Sequence, residues 1–288
     1  MKKLFLFLFG LAALYVQAQY NSLLWKISGN GLKEPSFLYG TMHTSDARVF
    51  SFSQKVMPDF NETKAYAMEL DPKEAFNMSL VAKLMMGKGH SLKSMIPERE
   101  YAILDSIIQV QIGYPVKLFD NVAPVFTMTI LEAGQLSLSD SSIEGNKEVL
   151  DMYFYKLAKK KKKKIIGIET VDEQLSALNS LSYTEQADLL VNEIRSFEKD
   201  TSQGTDLVRF YLTQQLDSLA SNDVDAKMPE KFYKALVTDR NIRMANRIEQ
   251  FIAERSTFIA IGALHLPKET GVINLLRKKG FTVEAEKK

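Results

Sequence analysis

Ser36-Phe37-Leu38-Tyr39-Gly40-Thr41-Met42-His43 is a short apolar run that ends in a glycine and, three residues later, a histidine. Such a run is typical of a buried β-strand, and the histidine would lie just beyond its carboxyl end. A second copy follows near the other end of the chain, where residues 257–261 are mainly apolar and precede Gly262-Ala263-Leu264-His265. One Gly-x-x-His is a common pattern, but two copies, each after a predicted strand, indicate one shared site.

The residues before the first motif predict its partner strand. Residues 21–28, with Trp25 at their centre, have the composition of a strand, and Gly29-Asn30-Gly31 supplies a turn. The motif strand would then return antiparallel to it as the second half of a hairpin. The first histidine motif is therefore expected on a strand that is paired along its length.

The residues after the first motif predict a crossover to another strand. Ser45-Asp46 can cap a helix that would extend to about Phe60, and residues 64–70 form the next buried run. A strand, a helix and a strand favour a parallel pair with a right-handed connection. His43 and Glu69 would then lie at the carboxyl edge of the sheet, where open α/β folds bind their ligands.

The rest of the chain extends this pattern. Residues 164–169 predict a third strand that ends in Glu169, and the end of the chain repeats the order strand, helix, strand. We therefore predict an α/β fold whose mixed sheet is built from two related strand-helix-strand halves with large helical insertions. The other predicted helices cover residues 73–86, 97–112, 115–136, 147–164, 171–178, an interrupted stretch over 183–255, and 268–279, and the last predicted strand covers 281–285.

The first residues have the pattern of a signal peptide. Lys2 and Lys3 precede an apolar stretch over residues 4–16, and Val16-Gln17-Ala18 fits a cleavage site. The apolar stretch is shorter than the roughly 18–20 residues that a spanning helix needs. We predict a signal peptide over residues 1–18, one α/β domain over residues 19–288, export to the periplasm or beyond the cell, and no membrane span after cleavage.

Composition restricts the classes of partner. The chain has 288 residues, and 45% of them are hydrophobic, which suffices for a globular core. Without Lys2 and Lys3 the 37 basic residues fall to 35, against 35 acidic ones, so nothing predicts binding to nucleic acid or to an anionic membrane. There is no cysteine, which excludes disulfides and thiolate metal sites.

Two imidazoles and one or two carboxylates at strand ends form a ligand set for a divalent transition metal. Neutral imidazole suits Zn, Co, Mn or Fe, and carboxylate favours Mn. A metal with an open coordination position lowers the pKa of a bound water towards neutrality. A further carboxylate could act as the general base, and an arginine could stabilise an oxyanion. The chain contains neither His-Glu-x-x-His nor Gly-x-Ser-x-Gly.

Each candidate also has an ordinary structural interpretation. A single histidine after a strand is often only hydrogen-bonded, and a glutamate there often caps the next helix. His90 lies in a polar loop and is interpreted as a surface residue. Arg240, Arg243 and Arg247 share one face of a predicted helix, and by themselves they are interpreted as a solvated face.

Five stretches taken together carry a resemblance to a known family. They are Gly40-Thr41-Met42-His43 after Leu24-Trp25-Lys26, Ala67-Met68-Glu69, Gly167-Ile168-Glu169-Thr170 before Glu173-Gln174-Leu175, Arg240-Asn241, and Gly262-Ala263-Leu264-His265. In this order they resemble the TraB/PrgY/GumN family, which includes the Tiki proteases. The chain differs at Leu264, where many relatives carry glycine.

The resemblance implies an α/β fold related to erythromycin esterase and to the haem-binding ChaN proteins, and for Tiki members it implies proteolysis that needs Mn or Co. On this analogy His43, His265, Glu69 and Glu169 are the expected metal-site residues. Glu69, Arg240 and Asn241 are the expected catalytic or site-lining residues.

The predicted function is that of an exported hydrolase with a divalent metal, Mn or Co before Zn, acting on a peptide or small-molecule substrate. One alternative is a protein that sequesters a peptide or small ligand without turnover, as the pheromone-shutdown members of the family suggest. Another is haem binding, which a Soret band on haem titration would reveal.

Overall fold

A six-stranded mixed sheet lies at the centre of this computed structural model, which describes residues 20–44, 46–75, 82–138, 149–199, 203–221 and 228–286. The predicted signal peptide lies outside the described residues. The sheet order is β4-β3-β5-β2-β1-β6, with β4, β3, β5 and β2 parallel and β1 antiparallel to both of its neighbours. The strands are β1 (Leu24–Ser28), β2 (Ser36–Thr41), β3 (Ala65–Met68), β4 (Lys164–Gly167), β5 (Thr257–Gly262) and β6 (Thr282–Ala285). The predicted α/β class with a mixed sheet is confirmed.

The two histidine motifs leave the sheet from neighbouring strands. β2 and β5 are parallel, and Thr41 lies opposite Gly262 in their register. The prediction that β2 and β3 form an adjacent pair is wrong, because β5 lies between them. Residues 257–261 are all buried, and a strand buried on both faces belongs at the centre of a parallel sheet rather than at its edge.

Helices cover both the sheet and a separate insertion. Among the described residues they are α1 (Val56–Glu62), α2 (Pro72–Ala75), α3 (Leu92–Met95), α4 (Glu98–Ile112), α5 (Pro124–Leu138), α6 (Leu150–Lys160), α7 (Val171–Leu178), α8 (Tyr183–Lys199), α9 (Gln203–Leu212), α10 (Leu216–Ser221), α11 (Glu230–Tyr233), α12 (Asp239–Glu254) and α13 (Val272–Lys278). A π-helical turn, Lys234–Thr238, joins α11 to α12.

Some predicted helices are shorter or interrupted. The helix expected from Asp46 to Phe60 is a 3-10 turn, Ala47–Phe50, capped by Asp46 and then followed by α1. The helix expected over residues 115–136 is also divided, because the chain turns before Pro124, a residue that suits a helix start but not a helix interior. The helix expected over 73–86 is described only as α2 and residues 82–84, because residues 76–81 lie outside the described part.

Two hydrophobic cores organise the described residues. The larger one lies on the sheet and includes Phe154 of α6 and Met244 of α12. The second lies among the inserted helices and includes Leu104 of α4, Leu131 of α5 and Leu190 of α8. In the described part of the chain, no helix combines the length and the apolar character that a membrane crossing requires.

Asp59 on α1 offers a test of stability away from the strand ends. Its side chain is buried and its Oδ2 atom has no hydrogen-bond partner among the described residues. Burial, assisted by the nearby Glu286, raises the pKa of Asp59 from 3.8 to about 6. A carboxyl whose pKa is higher in the folded state favours folding below its unfolded pKa, and this advantage is lost as the pH rises through 6.

We expect Asp59→Asn to raise the free energy of unfolding at pH 7 by about 1–3 kcal/mol, because it removes a desolvated charge. The gain should be small at pH 4, where the folded wild type already carries the proton. Urea unfolding of both proteins at the two pH values measures this difference. A loss of stability at pH 7 would contradict the raised pKa.

Candidate functional site

The carboxyl ends of β2, β3 and β5 bring the predicted site residues together. Glu69 follows β3, and its Oε1 atom accepts a hydrogen bond from the backbone N–H of Gly262 at 2.8 Å. The Nε2 atom of His265 lies 4.0 Å from the same oxygen. Glu169 follows β4, and its backbone N–H donates to the carbonyl of Glu69 at 2.8 Å. Neighbouring parallel strands therefore place the two glutamates side by side.

Arg240 on α12 joins these two carboxylates. Its Nη2 atom lies 2.7 Å from Oε2 of Glu69 and 2.7 Å from Oε2 of Glu169, and its Nε atom donates to Glu169 at 3.0 Å. The Arg240 side chain is 11% exposed and that of Glu169 is 0% exposed. The interpretation of this arginine as part of a solvated face is wrong, since its guanidinium is enclosed between the two carboxylates that follow β3 and β4.

Gln174 on α7 contacts both glutamates. Its Nε2 atom lies 3.3 Å from Oε2 of Glu69 and 3.3 Å from Oε2 of Glu169. Thr170 caps α7, as predicted, through a reciprocal pair of hydrogen bonds with Glu173. The cap fixes the start of α7 and so the position of Gln174 in its first turns.

The charges of the site keep Glu69 ionised. Burial alone would raise the pKa of Glu69, but Arg240, His265 and His43 outweigh it and hold that pKa well below its usual range. Burial would lower the pKa of Arg240, but the Glu69 and Glu169 carboxylates outweigh this effect and raise that pKa above its ordinary value. Glu69 and Arg240 are therefore both charged at neutral pH.

His265 is held in a single orientation by Asn241. The Nδ1 atom of His265 lies 2.6 Å from Oδ1 of Asn241, while the amide nitrogen of Asn241 donates to the carbonyl of Thr270 at 2.8 Å. Because the amide nitrogen of Asn241 donates to Thr270, the atom of Asn241 that faces the ring is the acceptor Oδ1. Nδ1 of His265 must therefore carry the proton. Burial lowers the pKa of His265 to about 4, which leaves the ring neutral near pH 7. The Nε2 lone pair is then free on the side of Glu69.

His43 follows β2 and is the accessible histidine of the pair. Its side chain is 62% exposed, and its Nδ1 atom lies 3.7 Å from Oδ2 of Asp151 on α6. The Asp151 carboxylate raises the pKa of His43 above its ordinary value. The Oδ1 atom of Asp151 accepts a hydrogen bond from Thr41 at 2.8 Å.

Asp151 is a site residue that sequence reasoning missed. It lies in the first turn of α6, where an acidic residue ordinarily needs no explanation beyond the helix dipole. Its contact with Thr41 spans 110 positions of sequence. The feature that distinguishes Asp151 from other acidic residues at helix starts is its burial, which cannot be read from the sequence.

The other two arginines of α12 lie beside the glutamates. Arg247 pairs with Glu173 through two contacts of 2.7 Å and lowers the pKa of Glu173 to about 2. Arg243 is closer to the site, with Nη2 3.6 Å from Oε1 of Glu169. His90 is exposed and lies against the ring of Tyr183, far along the chain from either motif, in agreement with its interpretation as a surface residue.

Gly40 allows the two motifs to approach each other. A Cβ atom at this position would lie 3.1 Å from the Cβ atom of Ala263 and 3.2 Å from both its Cα atom and Cδ2 of Leu266.

We expect Gly40→Ala to lower the free energy of unfolding by about 1–3 kcal/mol through overpacking. Gly87→Ala is the control, since a Cβ there meets nothing within 4 Å. The free energies of unfolding of the two variants, measured in urea, should differ clearly. Equal values would show that the two motifs can move apart without loss of stability.

The donor atoms fit a divalent metal in kind. Two imidazoles, of which His265 is neutral, and one ionised carboxylate are the ligand types of catalytic metal sites. Two ligand atoms of one ion, each about 2.1 Å from it, are at most about 4.2 Å apart. The 4.0 Å between Nε2 of His265 and Oε1 of Glu69 is within this limit. Within the described ranges, however, no group of three or more His, Cys, Asp or Glu residues could hold an ion as it stands. The exposed His43 ring would have to turn to join the other two.

Glu169 is less available than Glu69. Its side chain is fully buried, and its oxygens face Arg240, Gln174 and Arg243. A metal ligand role for Glu169 stays a prediction. Its evident contribution is to hold Arg240, which in turn holds Glu69.

Comparison with known proteins gives a consistent result. The sequence model of the TraB/PrgY/gumN family matches residues 23–285. The chain is 27% identical over 320 residues to "Metalloprotease TIKI1" of Danio rerio, covering 93% of this chain and 64% of that protein. It is 24% identical over 327 residues to "Metalloprotease TIKI1" of Homo sapiens, covering 93% and 62%. No solved structure matches the chain significantly.

A third relative is "Metalloprotease TIKI homolog" of Nematostella vectensis, 25% identical over 325 residues, with 93% of this chain and 68% of that protein covered. The chain spans less than two thirds of the length of the TIKI1 proteins.

Proposed function

This chain belongs to the TraB/PrgY/gumN family, and from this premise we propose that it is a metal-dependent hydrolase that cleaves peptide bonds. The observation that supports the proposal best is the position of two histidines beside the ionised Glu69, with Nδ1 of His265 hydrogen-bonded to Asn241 and Nδ1 of His43 3.7 Å from Asp151. The hydrogen bond to Asn241 leaves Nε2 of His265 for a metal. The names of the relatives support peptide bonds as the substrate class.

The residues that would hold the metal are His43, His265 and Glu69. A bound Mn, Co or Zn supplies a Lewis acid and a nucleophilic water at neutral pH. Asn241 holds His265 in the tautomer that offers Nε2, and the Gly262 N–H holds Oε1 of Glu69. Arg240 keeps Oε2 of Glu69 in place and keeps the carboxylate ionised.

Access to the site supports a substrate that approaches from the His43 side. Glu69, Glu169, Arg240 and His265 are largely enclosed, whereas the ring of His43 is exposed. An extended peptide could therefore reach the metal without entry into a deep cavity. We further propose that the protein acts after export, which the signal pattern of residues 1–18 supports.

Metal binding by the purified protein tests the proposal first. Mn, Co and Zn are added in turn to chelator-treated protein, and bound metal is measured by elemental analysis after gel filtration. One ion per chain is the expected stoichiometry. Absence of binding for all three metals would overturn the metal-dependent function and would favour the alternative of ligand sequestration without turnover.

A peptide-library cleavage screen tests the reaction itself. Cleavage is expected with Mn or Co and should stop when a chelator is added and return when the metal is restored. A protein that binds metal but cleaves no peptide under any of these conditions would contradict the substrate class. Haem titration in the same buffer, followed by its Soret band, serves as the comparison for the haem-binding alternative.

A further inference from the structure

The carboxylate of Asp151 is held beside the first histidine motif. Its Oδ1 atom accepts from Thr41 Oγ1 at 2.8 Å, and its backbone carbonyl accepts from Tyr66 Oη at 3.3 Å. The side chain is 9% exposed. Thr41 belongs to the Gly-x-x-His motif, so the motif itself fixes where this carboxylate lies.

The second oxygen of Asp151 lacks a partner. Oδ2 is buried and has no hydrogen bond among the described residues. A buried carboxylate oxygen left unsatisfied costs free energy, and such atoms in folded proteins call for an explanation. The ring nitrogen Nδ1 of His43 is 3.7 Å away, beyond hydrogen-bond distance but within reach of a small rotation of this exposed ring.

We propose that Asp151 is the positioning residue of His43. When the ring turns towards the metal site, Oδ2 of Asp151 accepts the Nδ1–H of His43, which fixes the tautomer and leaves the Nε2 lone pair for the metal. The inference rests on the proposed metal site. It gives His43 the same kind of support that Asn241 gives His265, with a carboxylate in place of an amide.

The protonation site of His43 tests the inference without any metal. Long-range ¹H–¹⁵N spectra of metal-free protein, and of protein with diamagnetic Zn²⁺, identify which ring nitrogen carries the hydrogen above the pKa of the ring. The Nδ1–H form is expected for His43 in the wild type. In Asp151→Leu, which has no acceptor, His43 should shift towards the Nε2–H form.

Three further variants refine the result. Asp151→Asn keeps an oxygen that can accept, so it should lie between the wild type and Asp151→Leu. Thr41→Val removes the anchor of the carboxylate but not the carboxylate, and it decides the question if Asp151→Leu does not fold. Asp59→Leu is the matched control, because Asp59 is, in the part of the chain that the structure describes, the other buried aspartate with an unpartnered Oδ2, and its charged neighbours lie outside the site.

Metal affinity gives the second measurement. Loss of a carboxylate behind a ligand histidine typically weakens metal binding about 10–100-fold, and we expect this for Asp151→Leu but not for Asp59→Leu. An Nε2–H tautomer in the wild type, or a tautomer that none of the Asp151 and Thr41 variants changes, would overturn the inference. If no metal binds but the tautomer shifts as expected, the proposed function fails and the positioning role stands.

Discussion

His43→Ala and His265→Ala are each expected to lower kcat/KM for a cleaved peptide roughly a thousandfold or more, because the metal contributes several kcal/mol to transition-state stabilisation. In the proposed site each imidazole would supply its Nε2 from the end of a different, neighbouring strand, so neither could replace the other. Stoichiometric metal should be lost together with turnover, as measured by elemental analysis of the same samples.

The third histidine provides the control. His90→Ala should retain both turnover and metal, since His90 is exposed on the helical insertion. His265 is buried, so His265→Gln is added to separate loss of the ligand from a cavity effect. Thermal unfolding should show that the variants remain folded. Activity within tenfold of the wild type in either alanine variant would exclude that histidine from the metal site.

Arg240→Met is expected to lower the free energy of unfolding by about 3–5 kcal/mol, because it leaves two buried carboxylates without their shared cation. Glu169 has no exposed side-chain surface and Glu69 only 14%, so water cannot replace the guanidinium fully. Urea unfolding at pH 7 measures the change. The loss should shrink at low pH as the Glu69 carboxylate, freed from Arg240, takes up a proton.

An exposed pair and a double variant complete this experiment. Arg209 pairs with Asp206 at the surface, and Arg209→Met should cost no more than about 1 kcal/mol. The double variant Arg240→Met/Glu169→Gln should be more stable than Arg240→Met alone, because Glu169→Gln removes one of the two carboxylate charges that the loss of Arg240 leaves unpaired. A single-variant loss as small as that of Arg209→Met would mean that the Arg240 pair contributes little to the fold.

The sequence predicts those features that depend on local pattern. The apolar runs ending in His43 and His265 indicated two strands, and the α/β class with a mixed sheet is confirmed. α4 and α7 lie where the helical pattern predicts them, because each has a local start signal, a proline or a threonine cap. The order of the strands depends on long-range contacts, which explains why the central position of β5 was not predicted.

The candidate site shows the same division. The two motifs and Glu69 could be identified as candidates from their positions after predicted strands, although their functional roles stay predictions. Arg240 could not be separated from Arg243 and Arg247 by spacing alone, since all three share a helix face and only the packing of α12 distinguishes them. Asp151 carries no local signal, because its importance comes from a contact with Thr41 across the sheet edge.

The central place of β5 has a consequence for the order in which the molecule forms. Without β5, the sheet would be two separate pieces, the β3–β4 pair and the three strands β2, β1 and β6. The hydrogen bond from Thr257 to Ser36 spans 221 positions, and such contacts require closure of a long loop before they stabilise anything. The strand that unites the sheet is the same strand that delivers His265. The proposed site therefore cannot form before residues 257–265 have been synthesised and β5 has entered the sheet.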